Sequence, residues 1–339
     1  MAHEVFTRHP SNPVLSAADV PYPASLVFNA GITKFHGKYV MVFRNDYGAN
    51  NAAEFQAGGL KGTNIGLATS DDGVKWTVSP KPCFAMGDKS NPNEEIRRAY
   101  DPRLTVIDGR CYMCFAVDTK HGICGGVAVT DDFDKWQVLS ISAPDNRNMV
   151  LFPAKIGGRF ARLERPFPIY GRGKPEAFDC WYADSPDCRY WGNNQLVLGS
   201  DHVPYCNNKI GPAAPPIKTK RGWLATIHAV RKDENQPLKS WDKWSWCKRY
   251  MAGLILLDLD EPWKVIGMAP QPVLDPSDAY PYEVDGFRGS VIFPGGMLLE
   301  DDGQVKLYYG ASDTVECLAT AHVDDLLAII EPFTPPHRR

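Results

Sequence analysis

Apolar and polar positions alternate in short runs along this chain, and glycine or aspartate interrupts them at close intervals. "GKYVMVFR" (37–44) and then "IGLATSDDGVKW" (65–76) read as two strands, the second ending in an Asp-rich turn with Trp76 behind it. The order recurs in "GRCYMCFAV" and "GGVAVTDDFDKW", ending at Trp136, and in "GGRFARLERP" and "CWYADSPDCRYW", ending at Trp191. "RGWLATIHAV" and "AGLILLDLDEPW" repeat it to Trp263, and "GQVKLYYGASD" with "CLATAHVDDLL" forms a last copy without the tryptophan.

The tryptophans stand 60, 55 and 72 residues apart, so each unit has room for a four-stranded sheet. Five such units predict an all-β fold, a five-bladed β-propeller with a central active-site channel, closed radially so that sheet edges stay short. The whole chain, 1–339, reads as one catalytic domain with blade repeats ending near 76, 136, 191, 263 and 326. Sustained helical periodicity is best developed in "HVDDLLAIIE" at 322–331. The repeated Asp71, Asp72 and Trp76, like Asp131, Asp132 and Trp136, are expected to make turns and wedge between blades.

An apolar fraction of 44% supplies a core, and a net charge of −3 offers no basic field for nucleic acid or a membrane surface. The longest apolar run, "MAGLILLDLD" at 251–260, is too short to span a bilayer, and the N-terminus lacks the apolar core of a signal peptide. Nine cysteines without a disulfide-module spacing predict free thiols in a cytoplasmic protein. Cys111 and Cys114 would face opposite sides of a strand, and no zinc site is expected.

Residues that break the repeat carry the candidate chemistry. In "VFNAGITKFHGKYVMVFRND", Asn29 precedes Ala-Gly, and Arg44 ends an apolar run. In "YDPRLT", Asp101 stands between Tyr100 and Pro102, with Arg103 two residues on; Asp-Pro is ordinary turn chemistry. "DNRNMVLFPAKIGGRFARLERP" brings Arg147 and Arg165, and "NNKIGPAAPPIKTKRGWLATIHAV" brings Lys209 and His228. One carboxylate facing several cations suits a bound phosphate, which Arg grips bidentately and Lys as a point charge. A nucleotide is not expected, because neither a Walker loop nor a strand-borne GxGxxG is present.

Together, "FNAG", "YDPRLT", "NRNMVLFP", "KIGPAAPPIKTKRGWL" and "YYGASDT" closely resemble glycoside hydrolase family 130, the β-mannoside phosphorylases and their relatives. The likeness runs from "HPSNPVL" at residue 9 to "VDDLLAII" at 323–330. It implies a five-bladed propeller with Asp101 as the catalytic acid. It implies Arg147, Arg165, Lys209 and His228 as the phosphate-binding set, and Asn29, Arg44 and Asp313 as holders of the mannosyl unit, with Tyr100 beside the acid. In the family the acid is thought to relay its proton through the mannose 3-hydroxyl. No cofactor is implied, inorganic phosphate being a co-substrate beside the β-mannoside oligosaccharide.

Phosphate is already an anion and attacks without a base, whereas an inverting hydrolase needs a second carboxylate to activate water. Inverting phosphorolysis of β-mannosides to α-mannose 1-phosphate is therefore the expected activity, with Asp101 raised in pKa in the complex so that it can act as an acid. A phosphate-independent β-mannosidase, with Glu283 or Asp285 of "YEVDGF" as base, is the near rival. A non-catalytic carbohydrate-binding propeller is the distant one. Two segments depart from the family pattern: "YGANNAAEFQAGGLKGT" (47–63) and the Trp-rich "LKSWDKWSWCKRY" (238–250). Trp241, Trp244 and Trp246 offer sugar stacking, a blade edge or an oligomer contact. Linkage, acceptor and homo-oligomeric state stay open at this point.

Overall fold

A computed structural model describes residues 5–85, 96–167, 178–242 and 245–333. Five antiparallel sheets stand in a ring, a five-bladed β-propeller with few helices. In chain order, blade I spans Leu26–Phe35, Lys38–Tyr47, Gly62–Ser70 and the short Thr77–Val78 and Phe84–Ala85 strands. Blade II spans Ile96–Ile107 to Gln137–Ile141, and blade III spans Asn146–Leu151 to Gly192–Leu198. Blade IV is built on Lys209–Pro212, Trp223–Lys232, Lys248–Leu257 and Val265–Met268. Blade V joins Ile292–Leu299, Gln304–Ala311 and Val315–His322 to the N-terminal Thr7–Arg8 strand.

The repeated tryptophans and aspartates hold this frame. Trp76 of blade I meets Tyr308 of blade V edge-on at 6.0 Å, and Trp136 of blade II meets Phe84 of blade I at 6.3 Å. The Trp191 indole N–H of blade III donates to Ser140 Oγ of blade II at 3.2 Å, and Trp263 lies 5.3 Å from Tyr182 of blade III. Each indole thus packs against the preceding blade. Asp72, Asp132, Asp187 and Asp258 each accept two following backbone N–H groups and close the turn before the last strand.

First strands approach one another closely where glycine removes the side chain. A Cβ on Gly31 of blade I would lie 2.7 Å from the Arg103 Cα of blade II, and one on Gly295 of blade V would lie 2.0 Å from the Ala30 carbonyl oxygen. The helix expected at 322–331 is present as Val323–Ala328. Short helices at Ala52–Gly58 and Pro281–Val284 were not foreseen; the first is capped by Asn51, whose side chain accepts from Glu54 N–H. No helix among the described residues is long and apolar enough to cross a membrane.

Two buried carboxyls brace blade V, one holding its N-terminal strand and one reaching blade I. Arg8 on the N-terminal strand donates from Nε to Glu283 Oε1 at 2.7 Å and from Nη2 to Oε2 at 3.0 Å, and the Tyr309 hydroxyl adds a bond at 2.8 Å. Glu283 is fully buried in this network, which removes it as a candidate base. Asp285 is largely exposed and paired with Lys239. Glu316 accepts from the Ala30 N–H of blade I at 3.1 Å, and burial drives its pKa up to about 8.

Arg8→Ala leaves Glu283 buried without its cation and is expected to cost about 3–5 kcal/mol, read as a lower urea midpoint at unchanged slope. Glu316 keeps its proton in the folded state up to about pH 8, whereas the unfolded chain releases it near an ordinary glutamate value. Its contribution to stability is therefore full at acid pH and declines as pH rises through that window. Glu316→Gln should flatten the decline, gaining roughly 2 kcal/mol or more on the wild type at neutral pH, read from urea titrations at a series of pH values.

Candidate active site

Three first strands share one irregularity. The ladder shifts register between Phe28 and Gly31, between Tyr100 and Arg103, and between Arg147 and Val150. Two residues on the first strand face one on its neighbour at each place, and the leading residue has left-handed backbone: Asn29 (φ 52°), Asp101 (φ 52°) and Asn148 (φ 58°). Asn and Asp are the side-chain-bearing residues that tolerate this region best. Each bulge re-aims a polar side chain out of the sheet and into a common cavity. Asp313, in the turn after Gln304–Ala311, also has left-handed backbone (φ 50°) and reaches the same space.

The cavity has a volume of about 410 Å³ and takes residues from all five blades. Its acidic end centres on Asp101. Asn29 Nδ2 donates to Asp101 Oδ1 at 3.0 Å, and Arg44 Nη1 donates to the same oxygen at 3.2 Å. Arg44 is anchored from behind by Asp46, with Nη2 to Oδ2 at 2.6 Å, and the Thr63 hydroxyl binds the other carboxylate oxygen. Arg103 holds the strands around the acid, donating to the carbonyls of Ala213, Asn29 and Pro102. Burial works to raise the pKa of Asp101, but Arg44, Arg103, the Asn29 bond and Arg147 outweigh it and hold the group below the usual carboxylate value. Without ligand the acid is thus ionised, and the elevation expected of a general acid has to come from what binds. Asp313 behaves oppositely: burial, with Asp101 and Asp46 adding to it against Arg288 and Arg44, lifts its pKa to about 6.

The basic end is built on a cross-strand pair. Arg147 and Arg165 are directly opposite in the register of blade III, and both line the cavity. Like charges in that position repel. Arg147 donates from Nη1 to the Tyr100 hydroxyl at 3.4 Å, and Arg165 Nη1 lies 2.9 Å from His228 Nε2. Neither has a carboxylate within ion-pair reach among the described residues, and the Nε of each is buried without a partner. Burial and the repulsion of Arg147 bring the pKa of Arg165 down to about 9. His228 is pushed well below its ordinary value by burial and then by Arg165 and Lys209, so the ring is neutral and accepts from Arg165.

The expected site residues thus divide into two layers. Asn29, Arg44, Tyr100, Asp101, Arg147, Arg165 and Asp313 line the cavity together. Lys209 and His228 stand behind its wall, Lys209 with Nζ 5.6 Å from the Tyr250 ring centroid and His228 behind Arg165. The sequence reading missed Asn148, Tyr250, Asp118, Arg98, Asp242 and Arg288, all of which line the cavity. Asn148 was legible as the third Asn or Asp heading a strand break, alongside "FNAG" and "YDPR"; the others had no local signal.

Both departures from the family pattern meet at one side of the cavity mouth. Phe55 of the Ala52–Gly58 helix and Leu60 line it with Phe287, and Gln56 Nε2 donates to the Trp241 carbonyl at 3.3 Å. Trp241 packs edge-on behind Phe287 at 5.8 Å. Trp246 lines the cavity but lies stacked on Tyr250, with the Arg288 guanidinium over its ring at 5.0 Å. Trp246 thus carries Tyr250 and Arg288 against its ring, whereas Trp241 meets Phe287 edge-on. Trp244 lies outside the described residues.

Comparisons with known proteins bear on this geometry. The model of glycoside hydrolase family 130, described as beta-1,4-mannooligosaccharide phosphorylase, matches residues 4–332. The chain is 33% identical over 339 residues to a beta-1,4-mannooligosaccharide phosphorylase of Ruminococcus albus, across 97% of this chain and 91% of that protein. It is 28% identical to a 1,2-beta-oligomannan phosphorylase of Thermoanaerobacter sp., across 94% and 98%. A solved structure of a beta-1,2-mannobiose phosphorylase from Listeria innocua, in complex with beta-1,2-mannobiose, superposes with a TM-score of 0.79 at 25% identity. That likeness covers 96% of this chain and 98% of the other. With the family model matched almost end to end and the same propeller shared, this chain belongs to glycoside hydrolase family 130.

Proposed function

We propose that the protein catalyses inverting phosphorolysis of β-mannosides. The observation that carries this reading is the Arg147–Arg165 pair: a half-buried and a buried guanidinium opposite one another, with no carboxylate partner among the described residues. An arrangement that costs stability when empty is relieved by an anion with several acceptor oxygens, and phosphate fits that requirement. Asn148 and Tyr250, beside the pair in the cavity, add polar contacts, and Lys209 contributes charge from behind.

In this reading the mannosyl unit lies between Asn29, Arg44 and Asp313, and Asp101 supplies the proton. A phosphate oxygen forms the new bond to C1 as the bond from C1 to the leaving oxygen breaks; the mannose 3-hydroxyl gives its proton to that oxygen and takes one from Asp101. The products are α-mannose 1-phosphate and the shortened acceptor. Phosphate also explains how an ionised Asp101 becomes an acid. Its negative charge offsets the pull of Arg147 and raises the carboxyl pKa when the substrates are in place. The leaving sugar rests against Phe55, Leu60, Phe287 and the Asp242–Arg288 ion pair at the mouth.

One observation favours hydrolysis instead. Asp101 and Asp313 are two carboxyls in one cavity whose pKa values are driven apart, the pattern of an acid–base pair. Hydrolysis leaves the crowding of Arg147 and Arg165 without a purpose, which is why phosphorolysis is preferred.

Incubation with β-1,4- and β-1,2-mannobiose, with and without phosphate, should give mannose 1-phosphate only when phosphate is present. Free mannose at equal rates in both conditions would establish the hydrolase. Asp101→Asn should lower turnover by about a thousandfold or more while leaving the melting temperature within a few degrees. Arg165→Met should move stability and function in opposite directions. It removes a cross-strand repulsion, so the phosphate-free protein gains about 1 kcal/mol, while phosphate affinity falls roughly tenfold to a hundredfold. Thermal melts with and without phosphate measure both.

A further inference from the structure

Tyr100 joins the two ends of the cavity. Its ring is buried, at 3% exposure, and the guanidinium carbons of Arg44 and Arg98 each stand 4.9 Å from its centroid. Its hydroxyl faces two groups. It donates to Asp118 Oδ1 at 2.8 Å, and it accepts from Arg147 Nη1 at 3.4 Å. A phenol has one proton. Committed to Asp118, that proton points away from Arg147, and the oxygen lone pairs face the guanidinium.

Asp118 is itself held in place. It pairs across the ladder with Arg98 and accepts from Arg98 Nε at 2.5 Å. Arg147 has little else to locate it. Its Nε is buried without a partner, its neighbour across the ladder is Arg165, and its further side-chain contact is the Phe167 ring at 5.7 Å.

We propose that Asp118 is a positioning residue, which fixes the Arg147 guanidinium at the phosphate end of the cavity by holding the Tyr100 hydroxyl in its accepting orientation. The inference rests on the phosphorolysis reading and adds to it a residue that touches neither the acid nor the basic pair. Charge alone predicts the opposite effect. Asp118 is an anion lining the cavity that takes the phosphate, so by Coulomb's law its removal should tighten phosphate binding. Positioning requires that its removal weaken it.

Calorimetric titration of the full chain with inorganic phosphate separates the two, using the wild type, Asp118→Ala, Asp118→Asn, Tyr100→Phe and the Asp118→Ala/Tyr100→Phe double variant. Asp118→Ala should weaken phosphate binding about tenfold, and Asp118→Asn, whose amide oxygen still accepts from Tyr100, should restore most of it. Tyr100→Phe should weaken it to a similar degree, and adding Asp118→Ala to that variant should change little, because the pathway is already cut. In steady-state phosphorolysis the apparent KM for phosphate should rise with that for mannobiose nearly unchanged. Unchanged or tighter phosphate binding in Asp118→Ala overturns the proposal, as do independent, additive losses in the cycle. If the alanine variant does not fold, Asp118→Ser, too short to reach Tyr100, carries the same expectation. A wild type that binds no phosphate would overturn the phosphorolysis reading and this inference with it; additive losses beside normal wild-type binding would overturn this inference alone.

Discussion

A strand in a blade spends its backbone groups on its own sheet and sends its side chains alternately to the two faces. Leaving the ladder is one way to aim a polar residue along the strand, toward a site shared by all the blades. Blades I, II and III solve this in the same way, with a two-against-one bulge led by a left-handed residue. The solution restricts the residue type at that place, since a β-branched or bulky side chain is strained there. Asn29, Asp101 and Asn148 are thus products of one backbone constraint, although their expected roles differ. Pro102 fits the same geometry at Asp101, continuing the bulge where no ladder bond is required of it.

Charge in the cavity is satisfied at one end and crowded at the other. At one end an ionised Asp101 accepts from Asn29 and Arg44. At the other, Arg147 and Arg165 face each other with a neutral imidazole behind them. His228 serves this arrangement by being uncharged. It accepts from Arg165, whereas a protonated ring would add a further buried cation to the cluster. The two ends are close enough that Arg147 helps to set the pKa of Asp101, so an anion bound by one end changes the proton affinity of the other.

The frame that holds these charges is made rigid by contacts that say nothing of the chemistry. Indoles from four blades wedge against their neighbours, and buried carboxyls at Glu283 and Glu316 lock the last blade to the N-terminal strand and to blade I. The two segments that depart from the family pattern meet at the mouth. There the Ala52–Gly58 helix, the segment around Trp241 and Trp246, and Phe287–Arg288 form one wall.

Features with a short period were legible in the sequence. Alternating strands, Asp-closed turns and recurring tryptophans depend on residues near one another along the chain, and they predicted a five-bladed propeller. Motifs at strand breaks marked the cavity-lining Asn29, Arg44, Tyr100, Asp101, Arg147, Arg165 and Asp313. What depended on partners far apart in the chain was not legible. Glu283 looked like a candidate base until Arg8, 275 residues away, was seen to bury it. Lys209 and His228 fell behind the cavity wall, because depth is set by how blades pack around the ring. Asp118 shows why most plainly. In the sequence it is an acid at the end of a strand; only cross-strand register places it under Tyr100 and gives that hydroxyl's proton a destination.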